Sequence, residues 1–183
     1  MKRWSLRSLF RREPVDIAAS QSYIATVEQA RQPGFYRDWR VPDSAIGRFD
    51  VIALHAFLLL HRLREEPAAK KFSEAYCGAI FDDMDRNLRE MGVGDLSVGK
   101  QVRKLAEGFF GRAGAYETAL SGGDDALHEV LRRNLYAEQG PDTETLSAVS
   151  DYIRRCVSAL AEQDVEALTR GEIRFAPLYG ERD

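Results

Sequence analysis

The chain is poor in the side chains that usually do chemistry. It has two cysteines, three histidines and three methionines in 183 residues. Cys77 and Cys156 lie far apart, each inside an apolar helical pattern, so they read as buried free thiols rather than a disulfide framework. His55 and His61 are six positions apart, about 600° around an α-helix, and so fall on different faces. With His128 they supply no ligand cluster, and the Glu-x-x-His pairs of a di-iron bundle are missing. There is no Gly-x-Ser-x-Gly elbow and no phosphate loop, since Gly92-x-Gly94 and Gly99-Lys100 lack the preceding strand and the spacing. These absences leave no enzyme to expect and no cofactor or metal to assign.

Two further absences narrow the class. The longest apolar run is ten residues, Val51 to Leu60, and includes His55. A membrane-spanning helix needs about 20 residues, so this run reads as a core helix and His55 as a core histidine bonded to a neighbour. There is also no positive excess: the formal net charge is −3, which argues against nucleic-acid partners.

What is present is helical periodicity from end to end. Apolar residues recur at intervals of three and four from Ile17 to Gln32, from Pro42-Asp43-Ser44 to Leu63, and from Ala68 to Met91. Gly92-Val93-Gly94-Asp95 breaks the third pattern. Ser97 is expected to cap a fourth helix carrying Val98, Val102, Leu105 and Phe109. Shorter helices are expected over 113–120 and 124–137, and a long one after Gly140-Pro141-Asp142, carrying Leu146 to Leu160. No segment alternates like a strand. The expectation is an all-α, single compact helical domain of about six to eight helices, spanning 15–183 behind a basic tip at 1–14.

That tip, MKRWSLRSLFRR, carries five basic residues and no acid. It has no apolar h-region, so it does not read as an export signal. It is either a frayed, solvated terminus or a basic foot on an anionic membrane surface, with Lys2, Arg3, Trp4, Arg7, Phe10, Arg11 and Arg12 in contact. Further on, Asp82, Asp83 and Asp85 crowd one helical turn. They lack the twelve-residue glycine-bearing loop of a calcium site, and Asp82–Arg86 and Asp85–Arg89 are spaced as i,i+4 ion pairs. This reads as a salt-bridged face or a polar partner-binding face.

The blocks FY…VPD, GRFDVIALH, DMDRNLREMGVGDLSVGK, FFGR, AYE and RRNLY, in this order over roughly residues 20–138, closely resemble the ubiquinol–cytochrome c chaperone family of cytochrome bc1 assembly factors. The VPDS-AIGRFD and DMDRNLREMGVGD blocks look like its bacterial branch, as does a short basic tip where mitochondrial members carry a long targeting region. The resemblance implies a non-catalytic assembly chaperone that binds newly made cytochrome b, a membrane-protein client, and protects it until haem and other subunits arrive. It also implies a small co-chaperone in some members, and a cytoplasmic location, peripheral on the inner membrane. The alternative is a peripheral membrane lipid-binding helical module.

No active-site residues come with this family. The client surface is expected at Asp82, Asp85, Arg86 and Arg89 with Tyr36, Phe110 and Tyr116, where charge and aromatic side chains share helices with apolar faces. A helix-in-groove contact is the mode that would suit them.

Overall fold

The computed structural model describes residues 13–137 and 140–179, and most of them are helical. Helix α1 (Pro14–Ala30) starts on a proline, whose missing N–H costs nothing at that position, and Asp16 reaches back to accept the Glu13 N–H at 3.2 Å. Pro33 does not simply end this helix. It opens a one-turn helix, α2 (Pro33–Arg37), which drives Phe35 and, just beyond it, Trp39 into the core. Helix α3 (Ala45–Leu63) is capped by Ser44, whose Oγ accepts the Gly47 N–H at 3.1 Å.

A 3₁₀ turn at Pro67–Ala69 leads into α4 (Lys70–Glu90). Its end is a Schellman motif. Gly92 has φ 86°, the Val93 N–H reaches the Leu88 carbonyl at 3.0 Å, and the Gly92 N–H reaches that of Arg89 at 2.9 Å.

The next helix departs from expectation. A single α5 (Asp95–Gly122) of 28 residues runs through the whole segment where two shorter helices were expected. Its start is set by Gly94 rather than by Ser97. The internal glycines do not break it, because Val98, Phe109, Tyr116 and Ala119 continue one buried stripe across them. Each such glycine costs only about 1 kcal/mol, which tertiary packing overrides. Gly123, at φ 86°, then turns the chain into α6 (Asp124–Leu135).

Helix α7 (Thr143–Ala161) is capped by Asp142, which accepts the Thr145 N–H at 2.8 Å, and α8 (Val165–Thr169) follows. The remaining tail is extended and pinned by Gln163, which bonds Arg174 through both its carbonyl and its N–H, at 2.7 and 2.9 Å.

Helix α3 is the centre. Nine consecutive residues, Val51 to Leu59, include eight that are buried, and α1, α4, α5, α6 and α7 all pack against this helix. One continuous core takes in residues from every helix, and no strand occurs among the described residues. No described helix is long and apolar enough to cross a membrane. The basic tip Lys2, Arg3, Trp4, Arg7, Phe10, Arg11 and Arg12 lies outside the described residues.

Candidate functional site

The sequence blocks set far apart in the chain converge around one buried ion pair. Asp50, from GRFD, lies 3.0 Å from Arg112, from FFGR, and its side chain is 8% exposed. Each group sits on the inward face of its helix, Asp50 between Phe49 and Val51 on α3, Arg112 one turn after Gly108 on α5. Arg112 also donates to the Gly108 carbonyl at 3.2 Å and lies over the Phe49 ring at 6.0 Å. Burial pushes the Asp50 carboxyl up to about 6, and the Arg112 charge only partly restrains it. Arg112 Nε and the Tyr116 hydroxyl are buried without a hydrogen-bond partner among the described residues.

This is a polar knot inside a helical core. Glu117, the last residue of AYE, turns the other way and meets His61 Nδ1 at 2.6 Å. The RRNLY block joins through Tyr136, which donates to the Trp39 carbonyl at 2.8 Å.

A second buried cluster surrounds His55. Its Nδ1 faces the Val51 carbonyl at 2.8 Å, which can only accept, so Nδ1 carries the proton. Nε2 therefore accepts from the Tyr152 hydroxyl at 2.7 Å, and Tyr152 in turn accepts from Gln29 at 2.9 Å. Phe35 and Phe175 meet the imidazole edge-on at 5.3 and 5.0 Å. Burial drives the His55 imidazolium down to about 4, so the ring is neutral. Both nitrogens are satisfied, which makes this a structural histidine.

The residues expected to form a client surface do not all meet. Tyr116 is 1% exposed and stacked on Phe57 at 5.5 Å, so it is a core residue and is withdrawn from any surface. Its place on the stripe that α5 buries is the reason. Tyr36 is half-buried on α2 and commits its hydroxyl to the Ala30 carbonyl at 2.7 Å, with Asp43 and Arg48 as its charged neighbours rather than the α4 cluster. Asp82, Asp85, Arg86 and Arg89 do share the outer side of α4, and Phe110 on α5 reaches that helix at Phe81. It is 54% exposed and packs edge-on to Phe81 at 5.9 Å.

Of the two expected i,i+4 pairs, Asp85–Arg89 forms and Asp82–Arg86 does not. Arg86 reaches Asp83 at 3.4 Å rather than Asp82, and Asp83 also takes the Tyr23 hydroxyl at 2.8 Å, tying α4 to α1. Asp82 is left exposed with no ion pair among the described residues. Arg89 joins Asp85 at 2.5 Å and also Asp95, so it clasps the start of α5 to the end of α4.

Among the described residues no group of three or more acidic, histidine or cysteine side chains is placed to hold a metal. Burial raises both thiols above their ordinary range. The polar groups of the interior thus build the fold, and the outer sides of α4 and α5 are left as the candidate contact face.

Comparison with known proteins fixes the context. The family model described as ubiquinol–cytochrome C chaperone matches residues 37–175. The chain belongs to the ubiquinol–cytochrome c chaperone family. The crystal structure of the Cbp3 homolog from Brucella abortus has the same fold, with a TM-score of 0.81 and 35% identity, covering 95% of this chain and 98% of that one.

The ubiquinol-cytochrome-c reductase complex assembly factor 1 of Xenopus laevis is 28% identical over 166 residues, 90% of this chain and 83% of that protein. Its human counterpart is 24% identical over 166 residues, and there the match spans only 56% of the relative. The Asp50–Arg112 pair, the His55–Tyr152 contact and the α4–α5 face all lie inside the span matched to the ubiquinol–cytochrome c chaperone family. Sequence reasoning quoted both GRFD and FFGR but did not join them. The available signal was one acid and one base, each set in the apolar arc of its own helix.

Proposed function

We propose that this chain is an assembly chaperone of the cytochrome bc1 complex that acts without catalysis by holding cytochrome b. The family match over residues 37–175 carries the reading, and relatives named as assembly factors of ubiquinol–cytochrome c reductase support it. A protein that works by binding alone must prefer one state of its client over another. Here it holds the immature subunit and releases it when later subunits cover the same surface.

The candidate contact face is Asp82, Asp85, Arg86 and Arg89 with Phe110. It combines paired and unpaired charge with an exposed ring at the α4–α5 junction. Asp82 and Arg86 are the positions to probe, because Arg89 and Asp85 also hold the helix pair together.

Deletion of the gene is expected to remove the bc1-associated haem b signal from reduced-minus-oxidised membrane spectra and to spare the other cytochromes. An unchanged spectrum with full quinol–cytochrome c reductase activity would sink the assembly role. For the face, D82R/R86E is expected to lose co-purification with cytochrome b while keeping its helical circular dichroism. Undiminished capture would move the contact elsewhere.

A further inference from the structure

The first half of α5 packs on the rest of the protein through a narrow stripe only. From Asp95 to Gly108 the one buried residue is Val98, and Val102, Leu105 and Ala106 are only half-buried. The opposite arc carries Leu96, Lys100, Arg103, Glu107, Phe110 and Gly114, at intervals of four and three, which is a single stripe along a helix. Leu96 is fully exposed, Phe110 is 54% exposed, and Met91 in the turn before α5 is 67% exposed. Single exposed apolar residues are ordinary on any protein. Three on one hairpin, with cations between them, form a pattern.

Charge selects the occupant. Residues 96–106 hold three basic groups, Lys100, Arg103 and Lys104, and no acid, on a chain whose net charge is −3. Arg86 and Arg89 are spent on Asp83, Asp85 and Asp95. Lys100, Arg103 and Lys104 are exposed and form no ion pair among the described residues. The stripe is an outward helix face, not a cleft that would receive a peptide. Apolar side chains interleaved with long basic ones are the arrangement of a helix lying in a membrane interface, where the basic stems reach back to the headgroups.

We propose that the α4–α5 hairpin is a membrane-contact site that seats on an anionic phospholipid surface. Met91, Leu96 and Phe110 enter the boundary between headgroups and acyl chains, and Lys100, Arg103 and Lys104 engage lipid phosphates. Glu107 is the one acid on the stripe and sits between Arg103 and Phe110. Leu96 and Phe110 are 14 residues apart, about 21 Å along the helix axis, so α5 lies in the plane of the membrane and does not enter it end-on. The contact does not depend on residues 1–12, and it holds whatever the client is.

Sedimentation of the purified full chain with vesicles tests it, using phosphatidylcholine alone and phosphatidylcholine enriched in phosphatidylglycerol. The wild type is expected to bind the anionic vesicles more tightly and to be released by salt. K100Q/R103Q/K104Q is expected to lose roughly a hundredfold in affinity, about fivefold for each cation removed from an anionic surface. L96S is expected to weaken binding while keeping its salt dependence.

No preference of the wild type for anionic vesicles overturns the proposal. So does a triple variant that binds like wild type, because the N-terminal basic residues then carry the attraction. A triple variant with unchanged vesicle binding but lost cytochrome b co-purification also overturns it, and makes this stripe a protein contact. The vesicle assay contains no client, so its failure leaves the assembly role standing.

Discussion

Asp50 and Arg112 form an ion pair at 3.0 Å that joins α3 to α5 in the interior, with the carboxylate side chain 8% exposed. Removing one member strands the other, and a buried pair broken in this way typically costs about 3–5 kcal/mol. Arg112→Ala is therefore expected to lose about 3 kcal/mol or more in denaturant melts. The double variant D50N/R112M is expected to lose less than the sum of its single changes, because neither half is left charged and alone. Strict additivity in that cycle would show that the pair is not coupled.

The same pair makes stability depend on pH in a direction opposite to most carboxylates. Asp50 titrates near 6 in the folded protein, above its ordinary value of 3.8, chiefly because of burial. The folded state therefore binds the proton more tightly than the unfolded one. Stability relative to D50N is expected to rise as pH falls from 7 to about 4, by about 1.4 kcal/mol per unit within the window from pH 6 downward. A flat difference across that window would mean that Arg112 neutralises the burial cost fully.

His55 pulls the other way over the same range. Its folded-state value is about 4 against an ordinary 6.5, so the unfolded chain gains the proton first on acidification. Stability from this group is complete above pH 6.5 and is lost as pH falls toward 4. Tyr152→Phe is expected to leave His55 Nε2 and Gln29 short of a partner and to cost about 1–3 kcal/mol at neutral pH. A neutral substitution would mean that water or a rearranged Gln29 fills the gap.

The helices were legible because burial on one face writes a period of 3.6 into the sequence, and α3, α4 and α7 announce themselves in this way. The short α2 was not, since one turn is too brief for any period and Pro33 reads equally as a stop or a start. The unbroken α5 was misjudged for a related reason. Gly108, Gly111 and Gly114 look like punctuation locally, and only the stripe from Val98 to Ala119 shows that the helix continues through them.

For the candidate site, the sequence placed Asp82, Asp85, Arg86 and Arg89 on one helix and paired Asp85 with Arg89 correctly, but it gave Arg86 the wrong carboxylate. Arg86 takes Asp83 because Tyr23 on another helix fixes that carboxylate. Tyr116 could not be sorted from Phe110 by type, although their positions on α5 differ by six residues, about 600° of rotation, and only one faces inward.

The glycines separate packing from contact. A Cβ on Gly47 would run into the Pro42 carbonyl oxygen, so G47A must shift the backbone at the start of α3. It is expected to destabilise strongly, on the order of 2 kcal/mol or more, as overpacking does. Gly111 lies in the middle of α5 with nothing within 4 Å of where its Cβ would stand, and Gly99 is as open. Within this chain neither position needs glycine, and alanine favours a helix interior by about 1 kcal/mol.

G99A/G111A is thus expected to raise the melting temperature. Its effect on cytochrome b co-purification then asks why the glycines are there. A stabilised protein that captures less client would mean that α5 is approached closely by a partner over these two positions. Unimpaired capture by the stabilised variant would mean that the glycines serve no contact at all.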